Sequence, residues 1–276
     1  MSTIRTFLSR HALIAGLVLM FALTWPIDLA YAGLLPIEIP FAAYLFLGWG
    51  FVLAALIMTG LTQGKMGVAG LLKRYLIWRV GLRWYVFALG LYPVMFLAAL
   101  GMIAVWRQAS IDLNQTMAAQ FFGASASWPF FVLPYFLFEA VANGEEMGWR
   151  GYVLPRLQAV RGPLTSALIV GVIWGFWHLP KFLSPFDPAV FSMVMVKNVA
   201  DSVLYTWLYN NTRGSLLLVT LFHAAGNTAA FFLLPSVGVD GRVGVLLLIV
   251  LLDVLTVTGL VVSTRSTLHD ARSPAI

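Results

Sequence analysis

An all-α, polytopic membrane bundle is the fold class this sequence predicts, and three observations predict it. Of the 276 residues, 61% are hydrophobic and only 10% are charged, whereas an ordinary soluble domain is about 25% charged. Long apolar runs recur from one end of the chain to the other, each close to the roughly 20 residues that a spanning helix needs. The remaining charges gather in the short stretches between those runs. The chain therefore reads as one integral membrane domain over residues 1–276, with no separate soluble part. It has no cysteine, which excludes disulfides, thiol nucleophiles and thiolate metal sites. The net charge of +6 lies in short loops rather than on a water-exposed face. It reads as a topology signal, which argues against a nucleic-acid partner and makes membrane lipid the expected surroundings.

Eight spans are expected, at 11–32, 41–62, 84–106, 128–149, 163–183, 190–210, 214–234 and 242–263. Between the second and third, "KMGVAGLLKRYLIWRVGLRW" mixes Lys65, Lys73, Arg74, Arg79 and Arg83 with apolar residues. That mixture suggests one amphipathic helix on the inner membrane surface. The N-terminus, the 63–83 segment, the 150–162 loop and the tail are net basic. The 33–40, 184–189 and 235–241 loops carry Glu38, Asp187 and Asp240 with little positive charge, and Arg107 balances Asp112 in the loop between. This alternation places both termini in the cytoplasm of a multi-pass protein. Residues 1–32 also have the look of a signal peptide, with "AYA" before Gly33. The expectation here is that they stay as the first span.

Ionisable residues at membrane depth cost roughly 2.5–3.5 kcal/mol each on insertion scales, so they need partners and are functional candidates. The spans offer Glu139, Glu145, Glu146, Arg150, His178, His223 with Asn227, Lys197 with Asp201, and Asp253. Glu146 and Arg150 stand at i and i+4 with the acid first, the favourable order for a helical ion pair. Glu145 points about 100° away from Glu146 and has no local counter-charge. The spacing thus divides the labour: Glu146 is neutralised by Arg150, and Glu145 faces elsewhere. The other reading is that both acids only close a helix end at the interface. His223 and Asn227 share a helix face at i and i+4. His11 and His269 are near the termini, so both membrane-embedded histidines follow the glutamates in sequence.

Depth offers a check. If the fourth helix continues to Arg156, Glu145 lies about 16 Å from its inner end and His178 about 20 Å from the start of the fifth. His223 and Asn227 then lie about 14 and 20 Å deep. The four can meet only if the fourth helix runs past residue 149. Together they suit acyl-transfer hydrolysis, which needs a base for water and donors for an oxyanion. Glu145, hydrogen-bonded to His178, would take the proton, and His223 and Asn227 would donate. Alternatively, Glu145, His178 and His223 form a zinc set with water in the fourth position. The residues alone do not choose between the two.

Three motifs carry a family resemblance: Glu145-Glu146-Met147-Gly148-Trp149-Arg150, then Trp174-Gly175-Phe176-Trp177-His178, then His223-Ala224-Ala225-Gly226-Asn227. Taken in this order, they resemble the EExxxR, FxxxH and HxxxN motifs of the CPBP family of intramembrane endopeptidases, which includes type II CAAX prenyl proteases and bacteriocin-processing enzymes. The likeness covers about 128–234. It implies an eight-helix fold and hydrolysis of a peptide bond in a membrane-associated protein or peptide. It also implies that Glu145 and His178 activate water and that His223 and Asn227 stabilise the oxyanion. The family is described both as a metalloprotease and as a metal-free glutamate protease, so zinc is one reading and no cofactor the other. Trp174 departs from the motif's Phe, and a packing role is expected for it, beside structural roles for Glu146 and Arg150. The competing functions are a membrane transporter, since intramembrane Glu, His and Lys also build proton relays, and a non-catalytic immunity or scaffold protein of the same fold. A transporter would more typically show two related halves, and none is visible.

Overall fold

A computed structural model describes residues 2–108, 116–122, 128–184, 187–234 and 239–270. Every regular element among them is helical: α1 (Ser2–Arg10), α2 (Ala12–Tyr31), α3 (Phe41–Leu45), α4 (Trp49–Lys73), α5 (Leu82–Arg107), α6 (Met117–Phe122), α7 (Val132–Ala142), a π-helical segment (Met147–Val153), α8 (Leu154–Gln158), α9 (Pro163–Trp177), α10 (Pro188–Asn211), α11 (Leu216–Leu233) and α12 (Val239–Ser263). Asp112 and Arg272, two charges of the topology argument, lie outside the described residues.

The helices are apolar on all sides, as a lipid-bathed bundle requires. On α5, Trp84, Ala88, Tyr92, Phe96, Ala99, Leu100 and Ile103 are buried, while Val86, Val94, Leu97 and Val105 on the other faces are exposed. In water, such an outer face would be an aggregation site; in a bilayer it contacts lipid tails. Five helices are long and apolar enough to cross a membrane, and α7 and α9 belong to two shorter apolar helices. At 24 residues, α10 is as long as a span but carries Lys197 and Asp201. Each of the eight expected spans contains helix, and the protein is a multi-pass membrane bundle. The expected surface helix at 63–83 is only partly formed. Helix α4 runs on through it to Lys73, broken at Gly64 (φ 70°, ψ −167°), a conformation open to glycine but not to residues with a Cβ. Residues 77–81 are not helical.

The fourth span departs most from a regular helix. Helix α7 stops at Ala142, Asn143 and Gly144 are extended or irregular, and helical structure resumes at Glu145 and continues to Gln158. The longer helix that the shared site required is therefore present, in two pieces. The break is packed rather than loose. Gly144 meets Gly48 backbone to backbone: a Cβ on Gly144 would lie 2.7 Å from the Gly48 carbonyl oxygen. Beyond the break, all seven residues of the π segment are buried, against α4 and also against α2 and α11. Helix α2 is fastened to the same centre. Tyr152 donates to the Ala12 carbonyl at 2.6 Å, Trp177 Nε1 to Thr24 Oγ1 at 2.8 Å, and Trp25 Nε1 to the Trp177 carbonyl at 3.0 Å.

Candidate active site

Glu145 is the first helical residue after the break. The Asn143 side-chain oxygen accepts its backbone N–H at 3.1 Å, which caps the restarted helix. Its carboxylate points into the bundle and is 8% exposed. Trp174 Nε1 donates to Oε2 at 2.8 Å, and Trp149 Nε1 lies 3.4 Å from the same oxygen. Both indoles thus hold one carboxylate oxygen, and Oε1 accepts no hydrogen bond among the described residues. Trp174 is packed in the core as expected, and it also has a polar role. The family's Phe at this position has no N–H, whereas Trp174 supplies one directly to Glu145.

Glu146 turns the other way and is fully buried. Its Oε1 accepts from the Arg150 guanidinium at 2.9 Å, the expected i,i+4 pair, and also from His223 Nδ1 at 2.9 Å. The second contact was not legible in the sequence, since 77 positions separate the two residues. The carboxylate can only accept, so Nδ1 carries the hydrogen and Nε2 is left for the cavity side. Arg150, also fully buried, lies over the rings of Trp174 (4.7 Å to the centroid) and Tyr205 (4.3 Å). Its planar cation is thereby enclosed on its faces and paired at its edge.

His178 caps the C-terminal end of α9. Its Nδ1 stands 2.9 Å from the Trp174 carbonyl, an obligate acceptor, so Nδ1–H donates and Nε2 offers a lone pair. The expected direct hydrogen bond between Glu145 and His178 is absent among the described residues. Instead, the two are joined through Trp174, whose side chain bonds Glu145 and whose backbone bonds His178. The Trp174 ring also lies 5.5 Å from His223 and 6.0 Å from His178, centroid to centroid. Asn227, one turn beyond His223 on α11, donates from Nδ2 to Glu139 Oε2 at 2.8 Å. Glu139 is thus the partner that orients the Asn227 amide.

Two cavities share a lining residue, Asn227, here. The larger, about 650 Å³, is bordered by Glu139, Glu145, Lys181 and Asn227 among aromatic and aliphatic side chains. The smaller, about 180 Å³, is bordered by His178, His223 and Asn227, and by Lys197 and Asp201. Glu145 therefore borders the larger cavity, His178 and His223 the smaller, and Asn227 both. Lys197 pairs with Asp201 at 2.6 Å, as their spacing suggested, and lies 3.7 Å from Asp253 on α12. That distance identifies the cation that the buried Asp253 lacked in sequence. Asp28 and Lys181 were not singled out in the sequence. Asp28 is buried in α2 with neither carboxylate oxygen hydrogen-bonded.

A zinc ion would need three converging ligands. Among the described residues, no group of three or more His, Asp or Glu side chains is arranged to hold one. Glu145 Oε2 is taken by two indoles, and the Nδ1 atoms of His178 and His223 are committed to Trp174 and Glu146, so Glu145 Oε1 and the two Nε2 atoms are what these residues could offer a metal. No step below is routed through a metal.

Comparison with known proteins gives the same core. Residues 125–229 match the family described as type II CAAX prenyl endopeptidase, Rce1-like, and this range contains Glu145, His178, His223 and Asn227. A CAAX prenyl protease 2 of Methanococcus maripaludis is 26% identical over 141 residues, 48% of this chain and 52% of the relative. The chain thus matches about half the length of that curated relative.

Proposed function

From the match of residues 125–229 to the type II CAAX prenyl endopeptidase family, we propose that the chain is an intramembrane endopeptidase of the CPBP family and hydrolyses a peptide bond in a membrane-associated protein or peptide between its two cavities. One observation carries the proposal: a single residue, Trp174, joins Glu145 and His178, while Asn227 on α11 borders both cavities.

Glu145 is the base. With Oε2 held by Trp174 and Trp149, Oε1 is the atom that takes a proton from water. His178 Nε2 accepts the water's other hydrogen and so aims its lone pair at the carbonyl carbon. Addition of the resulting hydroxide puts a negative charge on the carbonyl oxygen. His223 and Asn227 are the donors for it. His223 donates from Nε2 when it is the imidazolium, with Nδ1–H held by Glu146. Asn227 donates its second amide hydrogen, the first being held by Glu139. Collapse of the adduct breaks the C–N bond, and the proton on Glu145 passes to the leaving amine. Closure by aromatic and aliphatic walls strengthens each of these polar interactions.

The substrate class we favour is a C-terminal segment at the membrane, a prenylated CAAX tail being one example, and the orientation has both termini cytoplasmic. The test is incubation of the purified protein with a membrane-peptide library beside Glu145→Gln and Glu145→Ala variants. Cleavage by the parent alone is the expected result. Cleavage that persists in both variants sinks the role of Glu145. If no peptide is cleaved by any of them, the non-catalytic reading of the fold stands instead.

A further inference from the structure

The smaller cavity has polar walls that the proposed mechanism does not use. His178, His223 and Asn227 border it, and α10 adds Lys197, Asn198 and Asp201. An ammonium has three N–H donors. Among the described residues the one hydrogen bond of Lys197 goes to Asp201 Oδ2 at 2.6 Å, and Asp253, at 3.7 Å, is beyond hydrogen-bonding range. Asp201 is held in turn by the Tyr92 hydroxyl, which donates to its Oδ1 at 2.6 Å. Asn198 spends its amide on the Val194 carbonyl at 2.9 Å, which leaves its side-chain oxygen as an acceptor. Lys197 therefore brings spare donors and Asn198 a spare acceptor. They line the same small space as two histidines whose Nδ1 atoms are already taken. Polar groups at membrane depth need partners, and a mixture of donors and acceptors suits water, which is both. A volume of about 180 Å³ has room for several waters at roughly 30 Å³ each.

Resting on the endopeptidase reading above, we propose that the smaller cavity is the water store of the reaction, and that Lys197 and Asn198 are positioning residues that hold its water beside His178. The peptide occupies the larger cavity, about 650 Å³, which Glu145 borders. The two reactants thus approach from different sides. Each bond cut consumes one water, and the store supplies the next to His178 Nε2. Asp201 fixes Lys197 in this role, because its carboxylate is itself anchored by Tyr92. Val194 and Ala230 border the smaller cavity and not the larger one, so the store can be filled without touching the peptide's place.

The experiment fills the store from two helices, with Val194→Phe on α10 and Ala230→Leu on α11. A series of peptides varied on each side of the cut bond is given to the parent and to both variants, and thermal unfolding in detergent checks that each variant is folded. In the folded variants kcat is expected to fall about tenfold or more with KM within about twofold, and by the same factor for every peptide. Ala230→Ser, close to alanine in size, keeps the parent's kcat. Asn198→Leu, which keeps the bulk but removes the acceptor, lowers kcat without changing KM. Unchanged kcat in a folded, filled variant overturns the water store. So does a loss confined to peptides with large residues at one position, which would make the cavity a side-chain pocket. Crystals of the parent under xenon give a second measurement that needs no variant and decides if neither filled protein folds. Ordered water on Lys197 and Asn198, with no xenon beside it, is expected, since dry apolar cavities are the ones that take up xenon. A cavity that takes xenon in a parent that cleaves peptides overturns the store and leaves the endopeptidase reading intact. A parent that cleaves no peptide overturns that reading, and the store's role with it.

Discussion

Removing Glu146 should damage the fold and the chemistry by separate routes, and the two can be measured apart. Arg150 is fully buried, and its only hydrogen-bond partner among the described residues is Glu146 Oε1. Glu146→Ala leaves that guanidinium buried without a counter-charge, with only the faces of Trp174 and Tyr205 against it. Breaking a buried pair from one side costs about 3–5 kcal/mol, a loss of roughly two to three and a half decades in the ratio of folded to unfolded protein. Taking away both charges is different, because apolar replacement of a buried pair is often neutral in stability. Glu146→Leu with Arg150→Met is therefore expected to recover most of the stability lost in Glu146→Ala. It is not expected to recover activity, since His223 Nδ1 would still lack its acceptor. The assay pairs unfolding of the purified protein in detergent, followed by tryptophan fluorescence, with peptide cleavage. A Glu146→Ala protein as stable as the parent refutes the burial argument. A double variant that regains full activity refutes the coupling of Glu146 to His223.

Three further outcomes are expected. Trp174→Phe restores the family's residue but removes the 2.8 Å indole donor to Glu145; a charge-assisted bond of at least about 1.5 kcal/mol corresponds to roughly a tenfold fall in kcat/KM, and an unchanged value in steady-state kinetics would return Trp174 to a packing role. Gly144→Ala drives a methyl to 2.7 Å from the Gly48 carbonyl oxygen and should cost about 1–3 kcal/mol in detergent unfolding, whereas Gly70→Ala, with nothing within 4 Å, should be close to neutral; equal effects would mean that the α4 contact is not tight. Overnight treatment with a chelator, with bound metal measured before and after, should leave cleavage unchanged, and activity that is lost and then restored by zinc would revive the metal scheme.

Local spacing made much of this site legible. The Glu146–Arg150 pair, the Lys197–Asp201 pair and the shared face of His223 and Asn227 are all i,i+4 relations, which a helix turns into neighbours wherever it lies. The spans were legible because lipid demands long apolar runs. What stayed hidden was contact between helices. Periodicity along α11 says nothing of which carboxylate meets His223, and so Glu146 was credited with one partner instead of two. Trp174 was read by its size, because a Trp in a membrane helix is usually packing and its single N–H is spent only in three dimensions. Asp28 and Lys181 escaped notice for a related reason: each is one charge at the end of an apolar run, and only folding brings α2 and the turn after α9 around the same cavity. The pause at Asn143 and Gly144 went unread, although the apolar run stops at Ala142 and Asn-Gly is a turn signal.

The π-helical segment carries a consequence for length rather than composition. A π turn closes hydrogen bonds from i to i+5 where an α turn closes them from i to i+4, so it accommodates one surplus residue in an otherwise ordinary helix. Deleting a single residue after Arg150, at Tyr152 or Val153, would let the stretch relax into a regular α-helix. Because the wider turn already absorbs the surplus residue, the helix on either side would keep its facing, with Glu145 still towards Trp174 and Glu146 still towards His223. The same deletion in a regular α-helix would turn everything upstream by about 100°. A one-residue gap in this stretch of a related sequence is thus compatible with an intact motif.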